Sequence, residues 1–104
     1  MEELRETVTL DQILERMVAS ERLLILDEVG RELFKGFVGS FKYSKVDSMQ
    51  EVKEVSIVTR TFRREKIKMI PEKERVEIQE DELADYSFYD VEFFIYQKIT
   101  LKGT

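Results

Sequence analysis

The acidic residues near the C-terminus are the first candidates for chemistry, because seven of them and no base lie between positions 77 and 92. Clustered carboxylates can bind a hard cation such as calcium, which prefers oxygen ligands. The stretch EIQEDELADY lacks the D-x-D-x-D-G spacing that arranges oxygens around one ion, so we predict no metal site. Paired carboxylates can also act as acid and base, but no apolar cleft that would raise the pKa of one of them is visible in the sequence.

The composition removes most other catalytic chemistry. The chain of 104 residues contains no His and no Cys. This excludes Ser-His-Asp and Cys-His catalysis, and it also excludes zinc sites built on cysteine. We therefore predict that the protein is not an enzyme and uses no cofactor.

The acidic cluster and its aromatic neighbours predict a surface that binds a basic groove on a host protein. Charge complementarity speeds and selects association, and aromatic side chains anchor it. Phe94 and Tyr96 share one face of the last strand, and we expect both rings to be exposed unless loop 40–53, a second copy or a partner covers them. The predicted protein-binding residues are Glu77, Glu80, Asp81, Glu82, Asp85, Tyr86, Phe94 and Tyr96.

A basic segment supports an alternative function. In the stretch RTFRREKIK, positive side chains and one aromatic ring can hold single-stranded nucleic acid by phosphate neutralisation and stacking. The residues of this alternative site are Arg60, Phe62, Arg63, Arg64, Lys66 and Lys68. The net charge of −5 argues against nucleic acid as the partner. The basic and acidic segments could instead neutralise each other within the fold.

One helix and several strands must position these segments. Thr9 and Gln12 have capping-box spacing, and the apolar residues that follow recur at helical spacing, which predicts a helix over residues 10–20. Residues 23–38 indicate a β-hairpin with Gly30 at its tip. Residues 52–62 are rich in β-branched side chains, and residues 89–101 alternate with a period of two, so both stretches predict strands.

These elements predict an α+β fold, in which one N-terminal helix packs on an antiparallel sheet of about five strands. We expect a single domain over residues 1–104. The alternation in the last strand predicts one core shared by the strand and the helix. Its members are Ile13, Leu14, Met17, Val91, Phe93 and Ile95.

No segment suggests a membrane. The longest apolar run, Leu23 to Leu26, is far too short to span a bilayer, and the first ten residues are acidic rather than typical of a signal peptide. The sequence therefore predicts a cytoplasmic protein that does not contact membranes.

Residues 9–44 contain a helix followed by LLILDEVGRELFKGFVGSFKYS. This region resembles the opening of small proteins from prophages and conjugative elements of Gram-positive bacteria, where a helix precedes a D-x-x-G-x-E-L-(aromatic)-x-G hairpin. The matching residues are Asp27, Gly30, Glu32, Leu33, Phe34, Gly36 and Gly39. The resemblance implies a mobile-element accessory protein. By analogy of size, charge and origin, this class includes anti-CRISPR inhibitors, which fill the basic channel of an RNA-guided nuclease. A homo-oligomeric regulatory or structural subunit, such as a homodimer, is a further alternative.

Overall fold

The computed structural model describes residues 2–3, 7–65 and 74–103. Its first helix, α1 (Leu10–Leu14), begins at the predicted capping box. The Thr9 hydroxyl accepts the Gln12 backbone N–H at 3.4 Å, and the Gln12 side-chain oxygen accepts the Thr9 N–H at 2.9 Å. The helix is shorter than predicted. The carbonyl of Ala19 accepts the N–H of Gly39 at 3.0 Å, so this part of the chain is bonded to a neighbouring segment rather than to a further helical turn.

The predicted hairpin is confirmed. It consists of β2 (Arg22–Leu26) and β3 (Glu32–Phe37), which pair antiparallel. At the tip, Gly30 has a φ of 91°, a conformation that glycine adopts at little cost. The Asp27 carboxylate accepts the N–H groups of Val29 and Arg31 at 3.1 and 2.8 Å, and this holds the turn closed.

The sheet is mixed, which corrects the prediction of an antiparallel one. Four long strands and a two-residue edge strand, β1 (Glu2–Glu3), stand in the order β1-β4-β5-β2-β3, where β4 is Val52–Arg63 and β5 is Val91–Leu101. Strands β2 and β5 pair parallel, and the other neighbours pair antiparallel. Parallel neighbours need a long connection. Here β3, β4 and the segments between them provide it.

The prediction of a single helix is also incomplete. Within residues 7–65 and 74–103, 3-10 helices follow α1 at Val38–Tyr43, Glu80–Asp85 and Phe88–Asp90. The last two lie in the acidic region that precedes β5. Short 3-10 turns of this kind are common connectors and leave little periodic signal in a sequence. Among the described residues, no helix has the length and apolar character needed to cross a membrane.

The two faces of the sheet carry separate cores. On the helix-side face, Leu10 of α1 packs with Leu23, Ile25, Ile99 and Leu101. On the opposite face, which we call the far face, a smaller core contains Leu24, Phe62 and Tyr96.

The predicted burial of Phe93 and Ile95 is wrong, because 48% and 62% of their surfaces are exposed. Both lie on the helix-side face of β5 by alternation with Ile99 and Leu101. The apolar residues of α1 pack at the Ile99 end of the strand. The alternation correctly groups Phe93 and Ile95 with Ile99 on one face, but the residues of α1 cover only the Ile99 end of that face.

Candidate protein-binding surface

The acidic cluster lies on the 3-10 helix Glu80–Asp85, which begins two residues after the buried Ile78. Its carboxylates are exposed, and within the described part of the chain none of them forms a salt bridge. One of them, Glu82, accepts the backbone N–H of Gln79 at 3.1 Å, which anchors the start of the turn. The exposed members are Glu80, Asp81, Glu82 and Asp85.

Aromatic rings continue this surface towards β5. Phe88 and Tyr89 are 74% and 80% exposed, although both are large apolar side chains, whereas Tyr86 is half-buried. The ring centroids of Phe88 and Tyr89 are 6.0 Å apart with nearly perpendicular planes. The Ser87 hydroxyl accepts the Tyr89 N–H at 3.4 Å and fixes the turn that displays both rings. We call the residues Glu80, Asp81, Glu82, Asp85, Phe88 and Tyr89 the acidic–aromatic surface.

Glu77 does not belong to this surface, because its charge is neutralised within the fold. Both of its carboxylate oxygens lie 2.9 Å from Nη1 of Arg60, and Nζ of Lys35 lies 3.9 Å away. Glu77 stands opposite Phe62 in an isolated bridge beside β4, so its side chain faces the same way as that of Arg60. Among the described residues of the two segments, this is the side-chain ion pair that joins them.

Phe94 and Tyr96 are also placed differently from the prediction. Tyr96 is fully buried in the far-face core. Phe94 is half-buried, since the guanidinium carbons of Arg22 and Arg75 lie 3.9 and 5.0 Å from its ring centroid. The cover comes from these cations and from the Phe62 ring, 5.2 Å away, rather than from loop 40–53, whose Phe41 and Val46 pack against the helix-side core.

The basic segment is largely engaged in internal contacts. Phe62, the ring assigned to base stacking, is fully buried, with Nζ of Lys35 5.0 Å from its centroid. Arg63 pairs with Glu65 at 3.2 Å, and Nη2 of Arg64 donates to the carbonyl of Val91 at 3.2 Å. Arg60 is held by Glu77 as described above. The remaining members of the alternative site, Lys66 and Lys68, lie outside the described residues.

The sequence interpretation missed an exposed apolar strip on the helix-side face. It consists of Ile57 on β4 together with Phe93 and Ile95 on β5, which we call the apolar strip. Ile57 is 65% exposed, and the ring centroid of Phe93 lies 6.4 Å from that of Phe88. The length of the last strand compared with the predicted helix was the one available signal. An eleven-residue strand extends well beyond what one short helix can cover.

Other features of the described residues carry less chemistry. No group of three or more acidic side chains in this part of the chain is arranged to hold a metal ion. A groove of about 670 Å³ lies at the other end of the helix-side face, between Ile13 and Met17 of the α1 region and the sheet residues Val55 and Ile99.

No protein-family model matches the chain, and searches of curated proteins and of solved structures return no significant match.

Proposed function

We propose that this chain is a non-catalytic protein-binding module whose acidic–aromatic surface engages a basic groove on another protein. The observation that supports the proposal is the combination of four exposed carboxylates and two exposed aromatic rings within residues 80–90. The carboxylates have no cationic partner among the described residues. A basic partner would therefore relieve their mutual repulsion, and the rings would add apolar contact.

The sharper form of the proposal is that the chain is a mobile-element protein that inhibits a nucleic-acid-handling host protein such as an RNA-guided nuclease. Small size, net negative charge and the resemblance of residues 9–44 support it. In this form the carboxylates would occupy positions that nucleic-acid phosphates otherwise take. The partner must then lose binding when its guide or template is already in place.

Binding to two purified proteins with basic channels tests the proposal, namely a guide-free RNA-guided nuclease and a template-free DNA polymerase. The triple variant Glu80→Lys, Asp81→Lys, Glu82→Lys should slow association at least tenfold at 50 mM salt. The difference should shrink at 500 mM salt, because the Debye length falls from roughly 14 Å to about 4 Å. The control is Glu28→Lys, Glu32→Lys, Glu51→Lys, which changes the net charge equally at exposed residues elsewhere. Because these three residues pair with Lys53, Lys35 and Lys102, the thermal stability of the control variant is measured before its binding.

Each outcome of this experiment decides a specific point. If neither protein binds more tightly than about 10 µM at 50 mM salt, the proposal is wrong. If the control triple variant weakens binding as much as the surface variant, only net charge matters and the assigned surface is wrong. If the unmodified chain binds single-stranded DNA or RNA more tightly than about 1 µM at 150 mM salt, the basic-segment alternative replaces it.

A further inference from the structure

The helix α1 covers only part of the helix-side face of the sheet. Strand β5 has eleven residues and extends about 37 Å, whereas the five residues of α1 extend only about 8 Å. The helix region packs over Ile99 and Leu101, so the half of the face that carries Phe93 and Ile95 is left open by α1. Sheets in α+β folds bury an apolar face against a helical layer. The apolar strip is the part of this face where the layer is missing.

The cross-strand pairs beneath the apolar strip are uncharged, and Arg63, which stands opposite Val91 on the same face, borders them and pairs with Glu65. Thr59 stands opposite Ile95, Thr61 opposite Phe93, and Ile57 opposite Gln97, so these paired side chains share the face. Acidic groups border this region at one end, where the acidic–aromatic surface adjoins the strip through the contact of Phe88 with Phe93. An apolar floor with carboxylates at one end is complementary to a segment that has an apolar side and a basic side.

The size of the exposed area helps to decide whether a second copy of the chain or a smaller element binds there. The apolar strip exposes roughly 300 Å², and Phe88 with Tyr89 adds about as much again. A symmetric dimer usually buries about 800 Å² on each copy. In addition, two copies would bring two net charges of −5 together. Both facts disfavour a second copy and favour a smaller, basic element.

We infer that the apolar strip is the docking site for an amphipathic, basic α-helix of the partner protein. The apolar side of that helix would pack on Ile57, Phe93 and Ile95 and complete the layer that α1 begins. Its Lys and Arg side chains would face the carboxylates of the 3-10 helix Glu80–Asp85. The inference rests on the proposed function and adds the kind of element that the partner must present.

Two designed peptides test the inference on the full chain. The first is an 18-residue helix with Leu at helical spacing on one side and Lys on the other, and the second has the same composition with the Leu residues spread around the helix. In 15N-labelled protein, the first peptide should shift the amide signals of residues 57, 93 and 95, and it should bind at least tenfold more tightly than the second. Ile95→Ser should weaken binding of the first peptide about tenfold at both low and high salt.

Control variants keep this experiment decisive. Val29→Ser changes a residue that is 78% exposed at the hairpin tip, and it should leave binding unchanged. Ile57→Ser serves as the second strip variant if Ile95→Ser lowers the thermal stability of the free protein. The Lys triple variant at residues 80–82 should weaken binding only at low salt, because its effect is electrostatic.

Several results would overturn the inference. Equal binding of both peptides, or shifts confined to residues 80–90 with a neutral Ile95→Ser, would leave the proposed function standing without a helical partner. A dimer that Ile95→Ser dissociates would assign the strip to a second copy. Nuclear Overhauser contacts from residues 66–73 to Ile95 in the free protein would show that the chain itself fills the strip. Failure of the basic-channel proteins to bind would count against the proposed function instead.

Discussion

A matched pair of substitutions in β5 tests how much of the helix-side face is buried. Ile95 and Ile99 are the same residue type on the same strand and the same face, but Ile95 is 62% exposed whereas Ile99 is fully buried. Ile99→Ala removes buried methyl groups and leaves a cavity, so we expect a loss of about 2–5 kcal/mol in the free energy of unfolding. Ile95→Ala removes a side chain that is about a third buried and leaves no cavity, so we expect a loss of about 1 kcal/mol or less.

Urea denaturation followed by circular dichroism measures both losses. The two variants lose similar strand propensity, so the difference between their midpoints at equal slope reports burial alone. We expect Ile99→Ala to be less stable than Ile95→Ala by at least about 1 kcal/mol, which corresponds to several degrees in melting temperature. If both variants are equally destabilised, the helix-side face is covered along its whole length. That result would remove the apolar strip and the docking site inferred from it.

Two further predictions concern charged groups. Burial raises the pKa of Asp27, but the hydrogen bonds and charge of Arg31 and the Val29 N–H outweigh it, so the pKa is lowered. The stability that Asp27 contributes is therefore complete above about pH 5 and lost as the pH falls below about 4. The difference in urea stability between the wild type and Asp27→Asn should shrink over that range, and a constant difference from pH 7 to pH 3 would contradict it. A double-mutant cycle with Arg60→Met and Glu77→Gln should give a coupling of about 1–2 kcal/mol, whereas a value below about 0.3 kcal/mol would mean that the pair is absent in solution.

The parts of the fold that depend on local chemistry could be predicted from the sequence. The capping box of Thr9 and Gln12 involves residues three apart, and the turn at Gly30 requires a conformation that glycine adopts readily. Both signals are complete within a few residues, so no distant contact can override them easily. The α+β class followed from the same kind of signal, because one helical pattern preceded several alternating ones.

The direction of the strands and the depth of their burial could not be predicted in the same way. A period of two shows which residues share a face, but it does not show whether a neighbour is parallel, as β2 and β5 are. Strand β5 lies between β4 and β2 and carries large apolar or aromatic side chains on both faces, so its pattern fits two opposite assignments of the core. In the structure, β5 contributes buried side chains to a core on each face. Tyr96 is buried on the far face and Ile99 on the helix-side face, three residues apart along one strand.

In the candidate site, too, the features that depend on local sequence could be predicted and those that depend on long-range contacts could not. Four acidic residues were expected on the surface and are exposed there, because a run of like charges with no base has no local partner. Glu77 belongs to the same run in sequence, but its partner Arg60 is seventeen residues away and becomes a neighbour only when the segment pairs with β4. Long-range pairing of this kind decides which charges are neutralised within the fold and which can bind a partner. It cannot be predicted from the sequence alone.

The way the charges pair also bears on which partner the chain can accept. Arg60 is held by Glu77, Arg63 by Glu65 and Arg75 by Glu92, so these cations of the middle and late chain already face carboxylates. The acidic groups of the 3-10 helix Glu80–Asp85 face no cation among the described residues. Residues 80–90 therefore carry a local negative charge, with five acidic residues and no base in that stretch. A partner that presents positive charge next to an apolar side chain would match both features of this end of the sheet, whereas the phosphates of a nucleic-acid strand would be repelled by the carboxylates.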